Sequence, residues 1–218
     1  MLIKESDLLN FISCPIKYMV YKNNNINEPD TYNTLLHKSY KWTINDYNYN
    51  GLEGLDARIK KHWDKVCIQH QNEILPKKVI EGWGMLYRVY ELLRDKHVEV
   101  LDVDIPYHIE IPGTSYAVEG QIDMISKYGD DIEILVPSFS NRMPESYLID
   151  NNIKHSLDAY AIKKMFNKNT FITYHNYNIS KDKYTARLER DLNKLELIVK
   201  NVGNCIESNL LYPCTGYH

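Results

Sequence analysis

Residues 98–138 read VEVLDVDIPYHIEIPGTSYAVEGQIDMISKYGDDIEILVPS, and this stretch decides the fold. Val98, Val100, Val103, Ile105, Tyr107, Ile109 and Ile111 alternate with mostly polar neighbours, the period of a half-buried strand. Pro112-Gly113-Thr114 turns the chain into a second strand over 116–125, and Gly129-Asp130-Asp131 turns it into a third over 132–136. The near-continuous apolar run of that third strand predicts burial on both faces, so helices must cover the sheet on both sides.

The flanking sequence supplies them. Ser6 before Asp7, Leu8, Leu9, Phe11 and Ile12 predicts an N-cap and a short helix ending near Cys14-Pro15. The Asn-rich stretch 23–29 reads as a loop, and a helical region begins around Tyr32. Leu55, Ile59, Trp63 and Val66, then Val79, Trp83, Leu86, Tyr90 and Leu93, recur at helical spacing on either side of Pro76. Downstream, Ile153, Leu157, Tyr160 and Ala161 open a helix, 170–179 forms a fourth strand, and Leu188, Leu192, Leu195, Val199 and Val202 line one face of a last helix. The expected fold is mixed α/β, a central mixed sheet of about four strands flanked by helices. Residues 1–96 form an N-terminal helical region packed as one domain with an α/β core over 97–218.

Composition excludes several classes. Apolar residues at 44% and charged residues at 25% belong to a folded globular chain rather than a disordered or disulfide-scaffold one. No stretch approaches the roughly 18 apolar residues of a membrane span, and the N-terminus lacks a signal-peptide pattern, so the expected address is the cytoplasm. Four cysteines without a CxxC pair suggest thiols or metal ligands. The net charge of −3 argues against coating nucleic acid by bulk charge, yet residues 81–150 hold 14 acidic and 5 basic side chains, leaving an excess of cations on the flanks. If the chain binds a polyanion, the flanks carry the phosphate contacts and the acidic middle holds a cation beside phosphate; the plain alternative is solvated acidic turns. Abundant Asn, Lys and Tyr point to an A/T-rich genome, viral or phage, and then to a host cytoplasm.

Four local patterns, in chain order, carry a resemblance. Ser6-x-Leu8-x-x-Phe11-x-x-Cys14-Pro15-x-x-Tyr18 resembles the N-terminal motif of the RecB-type PD-(D/E)XK nucleases, which include AddB-type helicase-nuclease subunits and CRISPR-adaptation exonucleases. Asn33-Thr34-Leu35-Leu36-His37 resembles their Gly-x-x-x-His, with Asn33 in place of glycine. Gly120-Gln121-Ile122-Asp123 matches Gly-x-x-Asp, and Tyr160 sits at the tyrosine of Gln-x-x-x-Tyr. The resemblance spans most of the chain and implies a restriction-endonuclease-like core. It also implies DNA cleavage with Mg²⁺ or Mn²⁺ held by a histidine and two acids, and a lysine beside the attacking water. A hard cation is what an anionic phosphodiester needs as charge builds up in the transition state.

His37 and Asp123 match two of the implied catalytic positions, and Tyr160 a third. Val136 stands at the second acid, Ser138 at the lysine and Ser156 at the glutamine, so these three are lost. Valine has no lone pair for a metal, and serine brings no positive charge. Glu133 lies an odd number of residues from Val136 and would face the other side of a regular strand. Asp104 is an additional acid that, with His37 and Asp123, could hold one Mg²⁺ or Mn²⁺ weakly. Relatives with an iron–sulphur cluster use the cysteine matched by Cys14 and three near the C-terminus. Cys205 and Cys214 do not reproduce the terminal Cys-x-x-Cys, so a cluster, which would need His218 or a further ligand, is not expected.

The plain alternatives are a structural His37, a strand-capping Asp123, and core roles for Tyr160, Trp63 and Trp83. For Lys60-Lys61, Lys77-Lys78 and Lys163-Lys164 the choice is solvated surface or, for Lys60, Lys61, Lys163 and Lys164 above all, DNA-backbone contact. The expectation is a degenerate, inactive nuclease-like protein that binds DNA or serves as a subunit of a replication, recombination or transcription complex. The alternative is an active metal-dependent deoxyribonuclease with a rearranged site, which a carboxylate and an amine arriving from other elements would favour.

Overall fold

A computed structural model describes residues 1–24, 30–96 and 98–210. Strand β1 (Leu2–Lys4) leads into helices α1 (Glu5–Ser13), α2 (Pro15–Asn24), α3 (Tyr32–Asn50), α4 (Leu55–Gln69) and α5 (Pro76–Lys96). Strands β2 (Val100–Glu110), β3 (Ala117–Tyr128) and β4 (Asp131–Ser138) form the meander. Then come α6 (Ser146–Asp150), α7 (Ile153–Phe166), β5 (Thr170–Asn176), β6 (Lys181–Ala186) and α8 (Glu189–Glu207). The mixed α/β class is as expected, but among the described residues the sheet has six strands, not about four.

Both extra strands have a physical reason. β1 is three residues long, too short to show a period, and it exists by pairing in parallel with Ala117–Glu119 of β3. The chain therefore leaves the sheet straight into α1, whose N-cap is Lys4, and Ser6 lies inside the first turn rather than capping it. The expected single strand over 170–179 ends at Asn176, because Asn176 Oδ1 accepts from the backbone N–H groups of Asn178 and Ile179 and bends the chain back into β6. Pro15 starts α2 instead of only ending α1, since at the first helical position its missing N–H costs nothing. The loop expected over 23–29 thus begins within that helix, and 25–29 lie outside the described residues.

β3 and β4 pair antiparallel, and β4 runs parallel to β5 at the centre of the sheet. One apolar layer joins Ile105, Val118, Ile122, Ile132, Ile134 and Ile172 to α1, α7 and α8 through Leu8, Leu157 and Val199. The other joins Met124, Leu135 and Phe139 to α3, α4 and α5 through Leu36, Trp63 and Leu86. Residues two apart on a regular strand share a face. Yet Ile105 and Ile122 belong to the first layer, whereas Val103 and Met124 pack into the second. Between them lies Asp104, a non-glycine residue at φ 52°. Side chains thus change layers at the level of Asp104 and Asp123.

Candidate functional site

α3 is started by Thr31, whose hydroxyl accepts from Thr34 N–H while the Thr34 hydroxyl accepts from Thr31 N–H. His37, Lys41 and Asn45 follow at four-residue intervals and share one side of the helix. Opposite them, Asp104 of β2 and Asp123 of β3 occupy facing strand positions between the registered pairs Val103–Met124 and Ile105–Ile122.

Lys41 joins the two acids. Its Nζ lies 2.8 Å from Asp104 Oδ1 and 3.0 Å from Asp123 Oδ1. Asn45 Nδ2 donates to Asp104 Oδ2 at 3.0 Å, and Gln121 Nε2 donates to the Asp104 carbonyl at 3.0 Å. Partial burial works to raise the Asp104 carboxyl, but bonds from Lys41 and Asn45 outweigh it and hold it below its usual value. Partial burial likewise works to lower Lys41, and its bonds to Asp104 and Asp123 outweigh that and raise it. At neutral pH the ammonium is therefore charged.

His37 does not complete a triad of ligands. Its ring meets Phe139 edge-on, with centroids 5.1 Å apart. Crowding by protein atoms lowers the imidazole, the charge of Asp123 opposes this and Lys41 reinforces it. Among the described residues, no group of three or more His, Cys, Asp and Glu side chains is placed to hold a metal ion. The donor set explains why: the groups that reach the two acids are N–H donors, and a lysine ammonium cannot ligate a cation.

A second lysine meets the neighbouring acids. Lys154 of α7 lies 3.3 Å from Glu5 Oε1 and 3.2 Å from Asp158 Oδ1, and donates to the Gln121 carbonyl at 3.1 Å. Burial works to lower this ammonium, but the charges of Asp158, Glu5 and Asp123 raise it. Glu5 Oε2 also accepts from the Tyr107 hydroxyl at 2.8 Å. This crossing explains Gly120: a Cβ there would stand 2.4 Å from both Glu5 Oε2 and the Tyr107 hydroxyl oxygen. The glycine of the Gly-x-x-Asp pattern thus leaves room for the Glu5 carboxylate and the Tyr107 hydroxyl to meet over the strand.

The remaining positions lie elsewhere. Val136 packs against the apolar layer formed by Ile132 and Ile134. The Ser138 hydroxyl is 3.2 Å from that of Ser140 and accepts from Asn176. Ser156 accepts from Arg187 Nε at 2.8 Å and donates to the Asn152 carbonyl. Tyr160 is buried and its hydroxyl donates to Glu196 Oε1 at 2.5 Å, so it serves the α7–α8 contact. Glu133 accepts from Ser126 and Thr173 within the sheet.

Cys14 Sγ accepts from Lys17 N–H, Cys205 packs against the first apolar layer, and Cys214 and His218 lie outside the described residues. Lys60 pairs with Asp64 on α4 beside exposed Lys61. Lys163 and Lys164 line a groove of about 630 Å³ together with Lys168, Arg187 and Glu189. The sequence motifs single out neither Lys41 nor Lys154. The four-residue intervals His37–Lys41–Asn45 and Lys154–Asp158 were visible signals for both.

No family model matches the chain, and no curated protein matches it in sequence. Among solved structures, the chain is similar to one from Eubacterium rectale called "Putative exonuclease", with a TM-score of 0.62 and 12% identity over 97% of this chain and 83% of that one. Another, SSO0001, gives a TM-score of 0.37 and 13% identity over 92% of this chain and 84% of that one. No described helix is long and apolar enough to cross a membrane. What the chain shares with the Eubacterium rectale protein is its fold, a mixed sheet flanked by helices.

Proposed function

We propose that the chain is a PD-(D/E)XK-like protein that has lost hydrolysis and works by binding, to DNA or within a protein complex of replication, recombination or transcription. One observation carries this. β4, the strand expected to bring the second acid and the lysine, brings Val136, partly buried against the apolar layer, and Ser138, tied to Ser140 and Asn176. The fold shared with a protein called an exonuclease supports the link to nucleic acid.

A second reading has its own observation. Asp104 and Lys41 arrive beside Asp123 from other elements, so an acid, an acid and a lysine do converge. In that reading the chain is a Mg²⁺- or Mn²⁺-dependent deoxyribonuclease. Against it, Lys41 sits between the very oxygens that would have to hold the ion.

End-labelled single- and double-stranded DNA incubated with the protein in Mg²⁺ and in Mn²⁺ separates the readings. The expected result is no cleavage, with any DNA binding weakening steeply as salt rises. Metal-dependent cleavage that falls by about 10²-fold or more in both Asp123→Ala and Lys41→Ala would establish the second reading instead.

A further inference from the structure

We infer that Lys41 is the resident cation of the Asp104–Asp123 pair, occupying the place of a divalent ion and making the wild-type site indifferent to metal. The inference rests on the reading of a silent nuclease fold and adds how that silence is enforced. Two carboxylates facing each other across paired strands repel, and either a shared proton or a cation must relieve that repulsion. Here it is an ammonium in contact with one oxygen of each, 2.8 and 3.0 Å away. A Mg²⁺ or Mn²⁺ ion bound to those oxygens would stand at about 2.0–2.2 Å from both, crowding a like charge, so ion and ammonium exclude one another.

The surroundings agree with a lysine and not with a metal. A hard divalent ion collects oxygen ligands, whereas Asp104 Oδ2 and the Asp104 carbonyl are already taken by the amide donors of Asn45 and Gln121. His37, one turn before Lys41, is packed on Phe139. An independent observation repeats the pattern next door. Glu5 and Asp158, from α1 and α7, are bridged by the Lys154 ammonium. The acidic floor of this fold is thus neutralised twice by a lysine from a covering helix.

The test uses Mn²⁺ alone as the probe, followed by its electron paramagnetic resonance signal and by thermal melting of the full chain in Mn²⁺ and in EDTA. Wild-type protein is expected to leave the free Mn²⁺ signal and the melting temperature unchanged. Lys41→Met is expected to bind Mn²⁺ at least tenfold more tightly and to melt roughly 5–10 °C higher in excess Mn²⁺ than in EDTA. Asp123→Asn added to Lys41→Met should abolish both effects. Wild-type binding of Mn²⁺ that disappears in Asp123→Asn would overturn the inference, as would a folded Lys41→Met that ignores Mn²⁺. If Lys41→Met is unfolded in EDTA, refolding by Mn²⁺ supports the inference and failure to refold overturns it. Metal-dependent DNA cleavage by the wild type would remove the reading on which the inference rests, whereas the Mn²⁺ readouts test the role of Lys41 even where no DNA is cut.

Discussion

Lys154→Met is expected to lower the free energy of unfolding by about 3–5 kcal/mol, measured by urea denaturation at neutral pH. Methionine keeps the length of the stem and removes the charge. Asp158, 3% exposed, and Glu5, 14% exposed, would then remain as carboxylates without their cation. Glu5 keeps the Tyr107 hydroxyl, but a hydrogen bond does not cancel a buried charge. A loss below about 1 kcal/mol would mean that water solvates this cluster after all. The pH dependence has a definite sign. Lys154 is raised above its ordinary 10.5, so its contribution is complete below that value and disappears as pH climbs through the higher folded value. The wild type should therefore have a steeper alkaline loss of stability than Lys154→Met.

Trp63→Ala is expected to cost about 3–5 kcal/mol in the same assay. The indole is 0% exposed, its Nε1 donates to the Val79 carbonyl at 2.9 Å, and Tyr32 meets it edge-on. α5 approaches it so closely that a Cβ on Gly82 would stand 2.3 Å from the ring. The space left by alanine therefore has backbone on one side and cannot close by side-chain rotation. Because α3, α4 and α5 share this layer, the loss falls on the support of the helix that carries Lys41. A cost near 1 kcal/mol would show that α5 collapses onto the gap.

The fold was largely legible because its signals are local. The period-two run from Val98 to Ile111 and the helical spacing of Leu55, Ile59 and Trp63 report burial directly, and these elements stand where expected. What escaped depends on partners far along the chain. β1 is a strand because residues more than a hundred positions later accept it, and α2 follows α1 with only Cys14 between them because Pro15 suits a first turn. The site divides similarly. Asp104, Asp123 and His37 could be singled out by type and pattern, but Lys41 and Lys154 become meaningful only when their helices cover the acids. A lysine on a helix surface looks solvated until the fold supplies its carboxylate.

The parallel pairing of β1 with β3 also sets an order of events during synthesis. Ile3 meets Val118, so the ribosome must release well over a hundred residues before these backbones can join. Closing so long a loop carries a large entropic penalty, and such distant contacts slow a chain's acquisition of structure. Leu2–Lys4 of a nascent chain therefore wait unpaired while the meander assembles, and they lock in only once β3 has formed.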